Sequence, residues 1–462
     1  MELKPKSDSE VESIVQDAIS DAVDFIEGEI SHDRIKAQRY YDGEVDLGHE
    51  DGRSKVVATK VRDTVRAVKP SLMRIFLSTA KPVEYTPHGP EDVAMAEQAT
   101  EFMHHEFTRL NGYRVMNDAF QDALVKKQGI VKAYWMTYPE AEIYTFTDLS
   151  DDEYTYLVDD DDVTVIEHTV VYTAEIDEMG MEVEMPVHST KISRQKEKGE
   201  LCIESVPPEE FFINRDARSL ADAYVVAHRT DMRAGDLIAM GYDPEVVINL
   251  DNFEDGSDIT QAEVFERQGY GADTSDEDEQ DPSMRNVAVT EAYMRIDVDG
   301  TGIPVLHKIT CGGTAYEMLD FEPCDELPFA KFEIDPEPHA FYGQSLAEIV
   351  MDDQDAATSV LRSILDNVAM TNNPRLGIVE GAVNIDDVLN NEIGAIVRMR
   401  APGSVQELSV PFTAGQTLGA LTYLDSLVET KTGVSRASMG LDPDAMQSTT
   451  KAAVQATVQS AA

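Results

Sequence analysis

The sequence predicts an α+β protein with two or three domains. Apolar residues recur at helical spacing near both ends of the chain, strand-like alternation fills the middle, and 462 residues exceed what one core usually holds.

From the beginning, Val11, Ile14, Val15, Ala18, Ile19, Ala22, Val23 and Ile26 follow the 3.6-residue period, so 8–40 reads as one amphipathic helix. A second helix is expected over 57–78, with Val61, Val65, Val68, Leu72, Ile75 and Phe76 on one face. Pro70 has no amide hydrogen and is expected to kink that helix or start a new segment. From Arg53 to Lys81 there are eight basic residues and a single acid, Asp63, a basic island in an acidic chain. Helices follow at 91–110 and 113–127. Gly129 ends the second, and Ile130–Tyr138 alternates like a strand.

Residues 139–230 are strand-rich, as in VTVIEHTVVYTAEI (163–176), MEVEMPVHSTKISRQ (181–195) and LCIESVPPEEFFINR (201–215). The stretch 272–282 has no apolar side chain beyond Ala272 and reads as a mobile acidic loop. Strands resume over 287–321 with a turn at Asp299-Gly300. Helix returns at 344–371, then a short mixed segment, then helix at 414–433. Thr450–Ala462 opens a helix with no stop signal, so the protein is expected to continue beyond it.

Composition excludes several classes. The chain carries 88 acidic and 38 basic residues, a net charge of −50, which repels nucleic acid at long range. A role with DNA must therefore handle the duplex without gripping it. No run of 18 apolar residues suggests a membrane span, and the N-terminus lacks the apolar core of a signal peptide. Cys202, Cys311 and Cys324 are widely spaced and form no ligand pattern, so they read as reduced thiols of an intracellular protein.

No catalytic signature emerges. Walker A, GxSxG, HExxH and GxGxxG patterns are absent. Adjacent His104 and His105 point about 100° apart on a helix and so read as a solvated face rather than a metal pair. Asp297-Val-Asp299-Gly300-Thr-Gly302 resembles part of a calcium loop but lacks its distal glutamate, so a hairpin turn is expected. Asp159–Asp162 reads as a solvated acidic loop between strands.

The informative region is 344–433. In its first helix Leu346, Ile349, Val350, Ala357, Val360, Leu361, Ile364 and Val368 form a packing face. Glu348, Asp352, Asp355, Ser359, Arg362 and Asp366 share the opposite one. Asn372-Asn373-Pro374 ends that helix, and a compact segment with short strands and a small helix or turn follows. A second helix then sets Leu418, Leu421, Leu424 and Val428 on its packing face. After Gly433, SMGLDPDAMQSTTK is a polar loop leading into the last helix.

This order, together with VRDTVRAVKPSLMRIFLSTAKPVEYTPHGPEDVAMAEQATEFMHHEF, DALVKKQGIVKAYW and FYGQSLAEIVMDDQDAATSVLRSILDNVAMTNNPRLGIVEGAVNIDDVL, resembles the portal, or head-to-tail connector, proteins of short-tailed double-stranded DNA phages. The resemblance covers essentially the whole chain. It implies the α+β portal fold: a wing (1–340, helical first and strand-rich over 130–335), a first stem helix (341–373), a clip (374–411), a second stem helix (412–437), a tunnel loop (438–450) and the start of a wing helix (451–462). The family's long C-terminal wing helix and its crown or barrel are absent from this chain.

The resemblance further implies a ring of about twelve copies at one capsid vertex. The ring would be assembled in the host cytoplasm and carried in the virion, and it would not be an enzyme. Expected partners are the terminase large subunit, a tail adaptor or head-completion protein, major capsid and scaffolding proteins, and duplex DNA passing without sequence-specific binding. No cofactor, metal or membrane is implied. Glu348, Asp352, Asp355 and Asp366 are then channel-facing candidates, Met439, Asp442, Asp444 and Gln447 tunnel-loop candidates, and Arg62, Arg66, Lys69 and Arg362 subunit-interface candidates. The alternatives are another acidic phage head structural or connector protein, and an acidic cytoplasmic binding protein.

Overall fold

A computed structural model of the chain describes residues 4–48, 51–77, 83–160, 162–176, 182–251, 258–269, 282–390 and 392–433. Most of the expected acidic loop at 272–282, the loop 438–450 and the terminal helix 451–462 lie outside these residues.

The helices α1 (Asp8–Phe25) and α2 (Ser31–Asp42) replace the single helix expected over 8–40, because a π-helical turn at Ile26–Ile30 joins them. The Ser7 and Glu10 side chains form a capping box that starts α1, and Gly43 ends α2 in a left-handed conformation at φ 75°. Next, α3 (Lys60–Leu77) runs unbroken through Pro70, so no new segment starts there. The carbonyl that a residue-70 amide would have reached is that of Arg66. Both residues are exposed, so water can serve that carbonyl. Helices α4 (Val93–Arg109) and α5 (Gly112–Val125) follow.

Beyond them, β1 (Gln128–Leu149) extends well past the expected strand. A Cβ on Gly129 would lie 1.9 Å from the Ala119 carbonyl oxygen, so only glycine permits the approach of β1 to α5. The short helix α6 (Asp151–Val158) interrupts the region expected to be strands, started by a Ser150–Glu153 capping box. The later elements are β2 (Val163–Ile176), β3 (Glu182–Val206), β4 (Phe211–Ile213), β5 (Val225–Arg233), α7 (Ala234–Ala239), α8 (Pro244–Val247), α9 (Asp258–Gln268), β6 (Asn286–Ile296), β7 (Val305–Gly312), β8 (Glu317–Pro323) and β9 (Phe329–Glu333). The chain ends its described part with α10 (Leu346–Asn372), β10 (Arg375–Ile378), α11 (Ile385–Leu389), β11 (Val405–Leu408) and α12 (Ala414–Thr432). The four-stranded sheet has the order β2-β3-β1-β9, β10 pairs with β11, and the five-stranded sheet has the order β4-β5-β6-β7-β8.

Two compact units result. The larger comprises 1–131, 205–238 and 242–462; the smaller comprises 132–204 and 239–241. In the larger unit, β4 to β8 form an antiparallel meander with Val225 opposite Met294 and Val289 opposite Gly312. Val11, Val15, Ile19 and Ile26 of α1 and its π turn share the core of this sheet with Phe211, Phe212, Ala292 and Met294. A second core is helical and joins Tyr40 of α2, Val61 and Val65 of α3, Leu124 of α5, Val350 and Met351 of α10 and Val428 of α12.

In the smaller unit, β2 and β3 form a long antiparallel hairpin, from Val163 opposite Arg194 to Ile176 opposite Glu182, with a bulge between Val165 and Glu167. Tyr154 of α6 stacks on His168 and His188, its centroid 4.2 and 4.8 Å from theirs.

Candidate channel stem and docking insert

The helix α10 begins where its sequence says it should. Ser345 accepts a bond from the Glu348 amide, and the Glu348 carboxylate accepts one from the Ser345 amide at 2.8 Å. It runs antiparallel to α12. Asn367, late in α10, accepts bonds at Oδ1 from the amides of Thr413 and Ala414 and so caps the start of α12. Lys431, late in α12, pairs with Asp353 near the start of α10 at 2.7 Å. A third tie links Lys60 at the start of α3 to Asp425 on α12.

The buried face of α10 differs from the expected apolar one. Leu346, Val350, Ala357 and Ile364 are buried as expected, but so are Asp353, Gln354 and Thr358, whereas Ile349, Val360, Leu361 and Val368 are half-buried. The polar residues terminate other backbones. Gln354 accepts the Val61 amide and donates to the Tyr40 carbonyl, both at 2.9 Å, and Thr358 accepts the Ala58 amide at 3.1 Å. Polar periodicity alone could not distinguish these side chains from surface ones. On α12, Val428 is buried, whereas Leu418, expected to pack, is 54% exposed.

The acidic stripe is largely engaged within the chain. Glu348 also accepts from Lys127 Nζ at 2.6 Å, and Lys127 reaches Asp33 at 3.0 Å. Burial works against the Lys127 charge, but the bonds from Glu348 and Asp33 outweigh it and hold the amine above the ordinary lysine value. Asp355 accepts from the Tyr40 hydroxyl at 2.8 Å, and burial together with this bond pushes the phenol up to about 12. Asp366 accepts the Ser54 amide at 2.8 Å and pairs with Arg53 at 3.5 Å. Asp352 is exposed.

Among the basic candidates, Arg362 donates to the carbonyls of Val56, Gly48 and Lys55, clasping the segment before α3. Arg62 donates to the Tyr41 and Asp42 carbonyls at the end of α2, where a cation also suits the helix dipole. Lys69 donates to Gln121 at 3.1 Å, and Arg66 has no hydrogen bond or ion pair among the described residues. Met439, Asp442, Asp444 and Gln447 lie outside the described residues.

Between the two stem helices stands a small αβ insert. β10 and β11 pair antiparallel from Arg375 opposite Leu408 to Ile378 opposite Val405, and an isolated bridge joins Val383 to Met399. Arg398 grips Asp387 with two side-chain bonds of 2.7 and 2.8 Å, which hold that carboxyl down at about 2. Leu389, Ile393 and Ile396 are 72%, 107% and 83% exposed, an apolar surface that a solitary chain leaves in water.

Sequence reasoning also missed a buried ionic cluster in the larger unit. Arg34, Lys126, Glu209 and Glu263 are buried together, with Arg34–Glu263 at 3.8 Å, Lys126–Glu209 at 3.5 Å, and Arg267 also on Glu209. Loss of water around Asp122 pushes its carboxyl up to about 7, and burial raises Glu263. For Glu209, burial is outweighed by Lys126 and Arg267, so it stays below the ordinary value.

The rejected chemistry stays rejected on geometry. The Asp297 carboxylate accepts the Thr301 and Gly302 amides at 2.9 and 2.7 Å, as a turn requires. No group of three metal-ligating side chains occurs among the described residues. Cys311 is buried, which pushes its thiol up to about 12, and the three cysteines are free. No described helix is long and apolar enough to cross a membrane.

A helix pair capped by its own side chains, carrying a protruding insert and no assembled catalytic group among the described residues, defines a structural protein. The family model for the phage SU10 portal protein matches residues 11–462, and the chain belongs to that family of phage portal proteins, which are structural components of the virion capsid. A search of curated proteins found no match.

Proposed function

We propose that copies of this chain form a closed ring at one capsid vertex, with α10 and α12 as the stem around a channel for packaging and ejecting duplex DNA. The insert between β10 and β11 is the surface on which the terminase large subunit docks first and the tail adaptor later. Major capsid and scaffolding proteins meet the remainder of the ring. One observation carries this reading in a chain of the portal family: the insert stands between two antiparallel helices and exposes large apolar side chains at Leu389, Ile393 and Ile396. Surfaces of that kind are covered in assemblies.

Non-stick passage of DNA fits the −50 charge, because lysine or arginine contacts to phosphate would release counterions and hold the duplex. Asp352, exposed on α10, is the member of the acidic stripe best placed for this role. The test is native mass measurement and electron microscopy of the purified chain. A cyclic oligomer of about twelve copies is expected. A stable monomer at high concentration and physiological salt would refute the ring.

A further inference from the structure

The groove between α3 and α5 stands apart from the rest of this acidic molecule. It has a volume of 590 Å³ and is lined by Arg66, Lys69 and Arg74 with no carboxylate among its lining residues; Tyr41 and Tyr113 complete its walls. Arg66 and Arg74 are exposed and make no hydrogen bond or ion pair among the described residues. Three cations thus converge without a countercharge in the groove of a chain whose net charge is −50.

We infer that this groove holds the acidic stretch 273–281 of the same chain. That stretch has six carboxylates in nine residues (Asp273, Asp276, Glu277, Asp278, Glu279 and Asp281) and no basic residue. The described structure delivers it to the correct place, because α9, which precedes it, lies along α2 in the same direction. Thr260 bonds Glu27 at 2.9 Å just before α2, Glu263 pairs with Arg34 at 3.8 Å, and Glu266 pairs with Arg39 at 2.7 Å. Arg39 is two residues from Tyr41, which lines the groove. From Glu266 to Asp273 an extended chain spans about 23–25 Å, ample to cross from the end of α2 into the groove.

Tethering matters because exposed ion pairs are individually weak, and a stretch held nearby binds at a high effective concentration. Duplex DNA fits less well. The groove has room for a few carboxylate side chains, and the surrounding charge repels a polyanion arriving from solution. The other acidic stretch next to α9, with Glu254 and Asp255, leads into the opposite end of that helix and carries fewer charges.

Lys69 supplies a chemical handle. Desolvation lowers its amine from the ordinary lysine value, against the pull of Asp118 and Asp122, so it reacts readily. The test is carbodiimide cross-linking of the whole chain followed by peptide mapping, with Lys69–Asp118 and Lys69–Asp122 links as the internal reference. An amide between Lys69 and a carboxylate of 273–281 is expected. Its yield should fall about fivefold in Arg66→Ala/Arg74→Ala and at high salt, as the loss of two exposed pairs would give. Reference links alone would overturn the assignment. In a mixture of heavy- and light-isotope chains, links of mixed label would also overturn it, by moving the occupant to a second copy.

An independent measurement uses a variant with all six carboxylates replaced by amides. It should bind duplex DNA or heparin in a salt-dependent way that the parent chain does not, because the three cations are then uncovered. Equal binding by parent and variant would overturn the inference.

Discussion

Replacing Asp122 by Asn should abolish much of the pH dependence of stability in the neutral range. The side chain sits beside Lys126 and Glu209, and its carboxyl is raised from 3.8 to about 7 because water is kept from it. A raised carboxyl holds its proton more tightly in the folded protein than in the unfolded chain. Stability is therefore greatest at acid pH and is lost as pH rises through the folded value. Between about pH 5 and about pH 8 the predicted loss is roughly 2–3 kcal/mol. Asn keeps the shape and cannot ionise, so the variant should be about as stable as the parent at the acid end and more stable at the alkaline end. Glu263, raised by burial, leaves a weaker slope of the same sign in the variant. The assay is urea unfolding of parent and variant across this range, followed by a probe in the helical core. Parallel pH profiles for the two proteins would refute the reasoning.

Gln354→Leu should strand the Val61 amide and the Tyr40 carbonyl in the core and cost about 2–4 kcal/mol, read as a lower unfolding midpoint. A neutral result would show that those groups find other partners. Deleting about 376–408 and joining the stem helices should leave ring formation nearly intact while terminase and adaptor binding are lost, measured by microscopy and co-sedimentation; retained binding of both partners would place the docking surface elsewhere. Asp352→Lys should leave assembly intact and make rings retain duplex DNA in a salt-dependent way. Rings that retain none would remove Asp352 from the channel wall.

Which parts were legible in the sequence follows from what periodicity can register. The insert was readable because Asn372-Asn373-Pro374 must break a helix, and short apolar runs between glycines can only make short strands and turns. The strands of the meander were readable because their apolar runs are flanked by turn residues. The helix α6 was not expected, although Ser150 followed by Glu153 is a capping-box pattern that could have signalled it. The helices α7, α8 and α9 also went unforeseen. The only buried side chain of α9 is Glu263, which hydrophobic periodicity counts as surface.

The same blindness explains the candidate site. Gln354, Thr358 and Asp366 serve backbone groups 293 to 312 residues away in sequence, and Arg362 serves carbonyls as far as 314 residues away. A row of polar residues at helical spacing looks alike whether it faces solvent or closes the ends of distant helices.

These bonds recast what the acidic stripe of α10 does. A carboxylate that accepts from Lys127, one that accepts from Tyr40, and one that holds Ser54 and Arg53 are committed to fixing α10 against α2, α3 and the segment between them. Reversing Glu348 would set a lysine against Lys127, a buried clash that costs far more than a change in surface field. A triple substitution at Glu348, Asp352 and Asp355 would therefore fail through folding, whatever the wall of the channel is made of. The exposed Asp352 isolates the electrostatic question, because nothing among the described hydrogen bonds and ion pairs depends on it. In a ring it is repeated once per copy, so a charge of little consequence in one chain becomes a continuous band around the axis. The stem can thus be anchored by most of its carboxylates and still present charge to the duplex through the one left free.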